Sequence, residues 1–254
     1  MTTTASARKT AIPARRGAAR PVPAAANREA RGSRRRRETR AKLLNAALRL
    51  MADRGVDGVA VNEITEAADV GFGSFYNHFD SKEALHAELI ELVFEEFADA
   101  MDHALAEVTD PAEVIASSVR QTINRARADA TWARFLMREA FTPRMLTRGL
   151  ALRLLRDIRK GLDAGRFSGD DELVALLAIA GTTLNAIALD VFHGAGAKFA
   201  LDPALRRRLG LPDAGLPERV AAAVLRFMGV PPAEAQRIAR RPLVPLDGGP
   251  VALA

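Results

Sequence analysis

Apolar residues recur at helical spacing along most of the chain. The first clear stripe lies in residues 39–54, where apolar side chains follow one another at intervals of three, four and seven positions. The stripe consists of Leu43, Leu44, Ala47, Leu48 and Met51. No segment shows sustained alternation of apolar and polar residues, which is the pattern of a half-buried strand. The pattern therefore predicts an all-α fold.

Glycine, proline and capping residues divide the pattern into separate helices. Gly55 suits the end of the first helix, and Ser81 suits the N-cap of a long one. Asp110 and Pro111 separate that long helix from the next. The predicted helices cover 39–54, 61–68, 72–79, 81–108, 111–127, 131–141, 145–166, 171–192, 203–209, 216–229 and 232–240.

Positive charge is concentrated at the start of the chain. Residues 1–40 hold 12 Arg and Lys against two Glu, a net charge of +10, whereas the remainder holds 25 basic and 29 acidic residues, a net charge of −4. Residues 1–32 have no apolar periodicity, so we expect a disordered basic arm. The arginine run that follows, Arg34, Arg35, Arg36 and Arg37, is suited to DNA phosphates or a minor groove. The charge favours a polyanionic partner, although a solvated tail is the alternative.

The two short helices at 61–68 and 72–79 are separated by a three-residue turn, which is the pattern of a helix-turn-helix unit. Their expected core residues are Ile64, Ala67, Ala68, Val70, Phe75 and Phe79. On the second helix, Phe72, Ser74, Asn77 and His78 then lie on or near the outward face. In such units the second helix presents its N-terminal side chains to the major groove of DNA.

Residues 67–85, which read AADVGFGSFYNHFDSKEAL, carry a long and specific motif. It resembles the signature of the TetR family of bacterial transcriptional regulators, whose pattern is roughly A-G-V-S-x-G-T-x-Y-x-H-F-x-S-K-E-x-L. The resemblance implies a homodimer that binds a palindromic DNA operator and a small-molecule effector. It implies a helix-turn-helix domain at 33–80, an effector-binding and dimerisation domain at 81–243 and a flexible tail at 244–254.

The resemblance also assigns DNA contacts. The motif positions used for them are Phe72, Gly73, Ser74, Tyr76, Asn77, His78 and Lys82. Tyr76, His78 and Lys82 suit phosphate contacts, which position the protein on DNA. Ser74 and Asn77 can bond base edges or phosphates, and Phe72 can contact a thymine methyl group. Asn62, at the start of the preceding helix, can reach a phosphate or a base edge.

Three departures from the family pattern affect local geometry. Ala60 replaces the usual threonine N-cap, which removes a capping hydroxyl worth roughly 1 kcal/mol. Asp69 replaces the turn glycine, and aspartate tolerates left-handed backbone better than most residues. Gly71 replaces the serine that usually precedes the reading helix. Phe72 also stands where a polar residue is more common. These departures affect the base contacts rather than the fold.

Two C-terminal helices are apolar on nearly all faces and therefore need to be covered on all faces. We expect them to form a symmetric dimer interface, consistent with the family's four-helix bundle. The expected interface residues are Leu173, Leu177, Leu184, Val191, Val220, Val224 and Phe227. An ordinary monomeric core is the alternative.

The helices between positions 89 and 192 carry aromatic and methionine side chains together with a few amides. An apolar chamber with a few polar anchors is the general form of a ligand site, and this one would suit a hydrophobic effector. The candidate pocket residues are Phe94, Phe97, Met101, Asn124, Trp132, Phe135, Met137, Phe141 and Asn185. The same residue types at helical spacing also fit a plain core.

The sequence carries no known catalytic motif. There is no cysteine, the four histidines are dispersed, and neither a phosphate-binding glycine loop nor a zinc-helix motif occurs. We therefore expect no enzymatic activity, no catalytic residues, no cofactor and no metal. No secretory signal is visible, and residues 173–189 are short and polar for a membrane span, so we expect a cytoplasmic protein with no membrane partner.

The interpretation that fits best is a ligand-responsive DNA-binding regulator, most simply a repressor. The alternatives are an architectural nucleic-acid binder driven by the basic arm and a helical protein whose helix-turn-helix binds another protein. The former would show weak sequence preference and a steep salt dependence. Activation instead of repression stays open.

Overall fold

The computed structural model describes residues 2, 24–142, 149–169, 171–193, 201–210 and 215–246. Residues 1–37 and 38–254 form two separate units. Every regular element in the described ranges is helical, which confirms the all-α prediction. The helices are α1 Ala24–Arg54, α2 Val61–Ala67, α3 Phe72–Tyr76, α4 Lys82–Ile90, α5 Glu96–Ala104, α6 Pro111–Ala128, α7 Ala130–Glu139, α8 Gly149–Asp163, α9 Glu172–His193, α10 Pro203–Leu209, α11 Leu216–Phe227 and α12 Pro232–Ala239.

The first helix begins earlier than the apolar pattern predicts. It starts at Ala24 rather than at position 39, and therefore includes part of the arm that was expected to be disordered. Alanine and arginine are among the best helix formers, so this segment can be helical without an apolar face. The rest of the predicted arm, residues 1 and 3–23, lies outside the described residues.

The long helix predicted over 81–108 is interrupted by a single turn of π-helix, Glu91–Glu95, between α4 and α5. Its apolar positions recur every four residues and are all buried: Leu85, Leu89, Val93, Phe97, Met101 and Leu105. A four-residue repeat runs ahead of the 3.6-residue α-helical turn by about 40° at each step. One π turn contains one extra residue and therefore reduces this rotational drift by about 100°. The interruption therefore keeps the apolar stripe facing the core.

Helix α6 is the central element of the C-terminal helices. It packs against α7, α8, α9, α11 and α12. Asp110 caps its start by accepting from the Ala112 N–H at 3.0 Å, with Pro111 in the first turn. Asp110 also binds Arg166 at 2.9 Å, and the hydrogen bonds from this guanidinium hold the pKa of Asp110 below its ordinary value. The cap thus also ties the end of α8 to the start of α6.

The predicted flexible tail at 244–254 begins with residues that contact the helices. The Gln121 side chain donates to the Val244 carbonyl at 2.7 Å, and Leu246 packs against the core. Residues 244–246 therefore differ from the prediction, because α6 offers a hydrogen-bond donor and the core offers an apolar surface. Residues 247–254 lie outside the described part of the chain.

The turn between α2 and α3 has the hydrogen bonds of a Schellman motif. The Val70 N–H donates to the Thr65 carbonyl and the Asp69 N–H to the Glu66 carbonyl, each at 3.0 Å. Asp69 has φ +54°, the left-handed geometry that glycine supplies in the family pattern. The prediction that aspartate preserves this turn agrees with the geometry.

Substitutions at Asp69 should change stability through the backbone. We expect Asp69→Gly to raise the free energy of unfolding by up to about 1 kcal/mol, because glycine adopts positive φ without steric penalty. A β-branched side chain is strained there, so Asp69→Val should lower it by about 1–2 kcal/mol. Urea unfolding measures both. Asp57→Val, in an exposed turn with negative φ, is the matched control and should change stability by less than about 0.5 kcal/mol.

Candidate DNA-reading helix and effector cavity

Helix α3 is anchored by one face and exposed on the other. Phe75 is fully buried, whereas Phe72 and Tyr76 are each 54% exposed. The Phe72 and Tyr76 rings meet edge to face with centroids 5.7 Å apart. The Phe75 ring supports Tyr76 from the core side, at 5.3 Å. Two large aromatic side chains are thus held on an exposed surface, which suggests that a partner covers them.

The other motif residues surround this aromatic pair. Asn62, Gly73 and Asn77 are exposed, while Ser74 and His78 are half-buried. The Lys82 ammonium group donates to the Val59 carbonyl at 3.0 Å. Lys82 therefore ties the start of α4 to the loop before α2. Its predicted phosphate contact stays a prediction, as do those of the other residues.

The start of α2 is capped without a threonine. The Glu63 carboxylate accepts from the Ala60 N–H at 2.8 Å and from Arg54 at 2.7 Å. These hydrogen bonds, the backbone bond first, lower the pKa of Glu63 below its ordinary value. Glu63 thus supplies an acceptor for the Ala60 N–H. This contact stabilises the start of α2 although the hydroxyl group of a threonine N-cap is missing.

The predicted arginine run lies on α1, and all four side chains, those of Arg34, Arg35, Arg36 and Arg37, are exposed. Helical geometry spreads four consecutive residues around the axis at about 100° each. The run therefore presents positive charge in several directions rather than as one stripe.

Helix α7 joins the helix-turn-helix region to the C-terminal helices. Arg138 donates to the Ala52 carbonyl at 2.7 Å and to the Asp53 carbonyl, which caps the end of α1. The His86 Nε2 atom on α4 lies 2.9 Å from the Glu139 Oε1 atom, and both side chains are buried. One helix thus holds both α1 and α4.

A cavity of about 580 Å³ lies among α5, α6, α7, α8 and α9. Its lining is mainly apolar and includes Leu105, Val114, Val119, Leu136, Leu150, Leu154, Leu176, Ile179 and Leu184. Of the residues predicted to form a pocket, Met101 and Phe141 line it. The volume and lining are those of a site for a small molecule.

One wall of the cavity is ionic. Asp102 on α5 accepts from Arg153 at 2.9 Å and from Arg156 at 2.8 Å, both on α8. Arg156 also donates to Asp157 at 2.8 Å. Burial raises the pKa of Asp102, but the hydrogen bonds from the two guanidinium groups outweigh it and hold that pKa below its ordinary value. The Asp102 carboxylate in this wall therefore stays charged at neutral pH.

The other predicted pocket residues lie elsewhere. Four aromatic residues pack in the core through ring contacts of 5.2–6.0 Å, namely Phe94, Phe97, Trp132 and Phe135. Asn124 and Met137 are half-buried outside the lining, and exposed Asn185 donates to the Gly181 carbonyl at 2.8 Å. This placement corrects the predicted pocket, because the aromatic residues fill space by contacting one another instead of enclosing a void.

The sequence-based selection missed the ionic wall. Arg153, Arg156, Asp157 and Lys160 stand at helical intervals of three, four and seven, so they share one face of α8. Such a charged stripe usually indicates a solvated surface. The signal that could have found it was Asp102, an acidic residue next to Met101, which belongs to the apolar stripe of the same helix.

The predicted interface residues fall into two groups. Leu173, Leu177 and Phe227 are 61%, 59% and 56% exposed, which suits an interface. Val220 and Val224 are buried within this chain, because that face of α11 packs on α6. Leu184 is half-buried and lines the cavity, as Leu177 also does. The Val191 side chain lies outside the described part of the structure.

Helix α9 is long and apolar enough, over residues 172–189, to cross a membrane by length and composition alone. Only 33% of that stretch is buried in the single chain, although α9 packs against α6, α7, α8 and α11. These contacts are those of a helix within a packed bundle. Among the described residues, no group of three or more acidic or histidine side chains is placed to hold a metal ion.

Two family matches cover most of the chain after the arm. Residues 43–89 match the family described as bacterial regulatory proteins, tetR family. Residues 110–241 match the tetracyclin repressor-like C-terminal domain. The first includes the helix-turn-helix, and the second includes most of the cavity.

Two of the similar proteins are named as transcriptional repressors. The chain is 36% identical over 76 residues to the repressor DhaR of Mycobacterium sp. strain GP1, which is 30% of this chain and 38% of DhaR. It is 43% identical over 51 residues to the repressor KstR2 of Rhodococcus jostii RHA1, which is 20% of this chain and 25% of KstR2. The aligned region is less than half of either relative's length.

Solved structures match over more of the chain. A structure of RolR in complex with resorcinol is 36% identical and has a TM-score of 0.57, covering 85% of this chain and all of RolR. FadR of Bacillus subtilis in complex with stearoyl-CoA is 18% identical with a TM-score of 0.57, covering 74% of this chain and 96% of FadR, and shows the fold alone. The helix-turn-helix, the C-terminal domain match and these relatives lead to one conclusion: the chain belongs to the TetR family of helix-turn-helix transcriptional regulators.

Proposed function

We propose that this protein is a repressor that binds a palindromic operator as a homodimer and is released from it by a small, mainly hydrophobic effector. The observation that carries the proposal is the combination of an exposed reading helix and a separate cavity, joined by α7. An effector that prefers one of two conformations changes DNA affinity by its differential binding to them. Such a regulator acts on chromosomal DNA, so we place it in the cytoplasm.

We propose that Tyr76, His78 and Lys82 position the protein on phosphates, and that Phe72, Gly73, Ser74 and Asn77 approach the bases. Support comes from the exposed aromatic pair and from the nearby small and amide side chains, which match donor and acceptor groups of the major groove. Asn62 adds a further contact at the start of α2. The exposed arginines at 34–37 would add phosphate contacts that carry no sequence information.

We infer that the dimer forms through α9 and the exposed edge of α11. Leu173, Val174 and Leu177 expose large apolar side chains on successive turns of α9, and Phe227 does so at the end of α11. A symmetric partner presenting the same surface would cover all of these groups.

The ionic wall supports a proposal for the class of effector. Arg153 is bonded to Glu95, Asp99 and Asp102, and Arg156 is bonded to Asp102 and Asp157. Lys160 lies beside Asp157, and of these charged groups two carboxylates and three cations line the cavity. Because these groups are already paired with one another, an uncharged ligand leaves the ion pairs intact, and its hydroxyl groups can donate to the carboxylate oxygens. We therefore propose a small, uncharged aromatic compound with hydroxyl groups, the class to which the RolR ligand belongs.

Asp102 should be decisive for such a ligand. We expect Asp102→Asn to weaken resorcinol binding by about 10- to 100-fold, the effect of losing a hydrogen bond to a charged acceptor. Asp99→Asn is the matched control, because Asp99 also binds Arg153 but is 70% exposed and does not line the cavity. Isothermal titration calorimetry measures both. Equal affinity in Asp102→Asn and the wild type would contradict the proposed ligand class.

A DNase footprint on the DNA flanking its own gene tests the whole proposal. Protection of one palindromic site, relieved by resorcinol, is the expected result. Diffuse protection that disappears with salt would instead indicate an architectural binder driven by the basic arm. Deleting residues 1–32 distinguishes the two roles, because in a specific regulator it should reduce the salt dependence while the footprint is retained.

A further inference from the structure

The π turn between α4 and α5 is held from outside by side chains of two neighbouring helices. We propose that Trp132 is a positioning residue for the effector response, and that it acts by fixing this turn between the cavity and the DNA-reading unit. The inference rests on the proposed effector-responsive function. Trp132 does not line the cavity and is 1% exposed, so it is placed to act only through its neighbours.

The two halves of the interrupted helix contact different parts of the protein. Helix α4 carries His86, which meets Glu139 of α7, and begins at Lys82 beside the helix-turn-helix. Helix α5 carries Met101 and Asp102, which line the cavity. One residue more or less in the turn rotates one half against the other by about 100°. The state of the π turn therefore sets the rotational register between the two regions.

Trp132 supplies the first tether. Its indole N–H donates to the Val93 carbonyl within the π turn at 3.2 Å. The ring lies edge to face against Phe94 at 6.0 Å and against Phe97 at 5.2 Å. A buried indole N–H without an acceptor is unfavourable, so the bond favours the register that offers this carbonyl. Helices return to the α register unless something outside them stabilises a π turn.

Glu95 supplies the second tether at the other end of the turn. Its carboxylate accepts from Arg153 of α8 at 2.8 Å. Gly149 at the start of α8 has φ +62°, and a Cβ atom there would lie 3.0 Å from the Glu95 carboxylate. The close approach of α8 to the turn therefore depends on glycine. Arg153 is also part of the ionic wall, so it touches both the cavity and the turn.

The two tethers belong to different helices, since α7 holds Val93 and α8 holds Glu95. A ligand that moves Arg153 toward the cavity displaces Glu95 at one end of the π turn. Trp132 meanwhile fixes Val93 in the same turn. The resulting change passes along α4, and α7 also holds α4 at His86 and α1 at its final carbonyls. Without the hydrogen bond from the indole N–H, the π turn can change its conformation locally. A displacement of Arg153 then no longer moves α4.

The test compares Trp132→Phe with the wild type. Phenylalanine keeps an aromatic ring but lacks the N–H donor. The measured quantity is the coupling ratio, defined as the operator Kd with saturating resorcinol divided by the operator Kd without it, from the anisotropy of labelled operator DNA. We expect the ratio to fall about fivefold or more, the equivalent of one net hydrogen bond. The operator Kd without resorcinol and the resorcinol Kd should each stay within about twofold of the wild-type value. A general packing defect would change both.

Two further variants make the result specific. Ile123→Val removes a buried methyl group from α6, outside the turn and the cavity lining, and should leave the ratio unchanged. Glu95→Gln weakens the second tether and should lower the ratio as Trp132→Phe does. An unchanged ratio in Trp132→Phe, or an equal fall in Ile123→Val, would overturn the inference while the wild-type response leaves the proposed function standing.

A wild type that does not respond to resorcinol would instead contradict the proposed effector class. Backbone amide exchange of residues 91–98 without any ligand then decides the inference. Exchange about fivefold or more faster in Trp132→Phe than in Ile123→Val supports the tether. Equal exchange in the two variants overturns it.

Discussion

Replacing Leu173 and Phe227 together with glutamate is expected to convert the protein into a monomer of 27.3 kDa. Both side chains are more than half exposed in the single chain, so neither replacement should disturb its own core. In a symmetric dimer the double variant places four carboxylates in the interface. A charge buried without a partner is destabilising by several kcal/mol, roughly 3 or more for each. Sedimentation equilibrium at micromolar protein measures the mass.

The loss of the dimer should then weaken operator binding on the order of a hundredfold or more, because a second half-site is no longer held at high effective concentration. Val244→Glu is the matched control. Val244 is also an exposed apolar residue, 39% accessible, but it lies on the segment after α12. A double variant with twice the monomer mass would refute the proposed interface, and a monomeric wild type would refute the dimer itself.

The second large effect is expected at the reading helix. Tyr76→Ala should weaken operator binding by about 10- to 100-fold, the range for a hydrogen bond to a charged phosphate together with lost ring contact. Its 54% exposure predicts little change in the free energy of unfolding or in oligomeric mass. Anisotropy of labelled operator DNA measures the affinity.

Tyr76→Phe separates the two contributions to this contact. Phenylalanine keeps the edge-to-face contact with Phe72 and removes only the hydroxyl group. We expect it to lose most of the affinity that alanine loses, since the hydroxyl is the group assigned to the phosphate. Wild-type affinity in Tyr76→Ala would mean that the exposed pair does not face DNA.

The caps and turns of the helix-turn-helix region could be predicted closely, because they depend on residues that are near one another in the sequence. Gly55 has φ +76° immediately after α1, and Ser81 accepts from the Ala84 N–H at 3.1 Å, as their residue types predict. The turn at Asp69 follows from hydrogen bonds between residues no more than five positions apart. Short-range rules of capping and turn formation are sufficient for features of this kind.

The cavity could not be predicted because it depends on contacts between distant segments. Asp102 and Arg156 are 54 positions apart, and nothing local pairs them. Aromatic residues were expected to surround a ligand, yet they fill their own space by packing on one another. The π turn depends on Trp132, 39 positions from its acceptor Val93. Residue propensities along the chain predict helices well, but they predict the cavities between helices poorly.

The presence of a single tryptophan in the chain has a spectroscopic consequence. The chain contains one tryptophan and one tyrosine. The tryptophan is Trp132, buried beside the π turn, and the tyrosine is Tyr76, exposed on α3. Excitation at the red edge of the absorption band reaches the indole alone, whereas shorter wavelengths excite both rings, so the tyrosine emission is obtained by difference. The unlabelled protein therefore carries one chromophore at the junction of its helices and another on the surface proposed to read DNA, and both can be followed in a single titration.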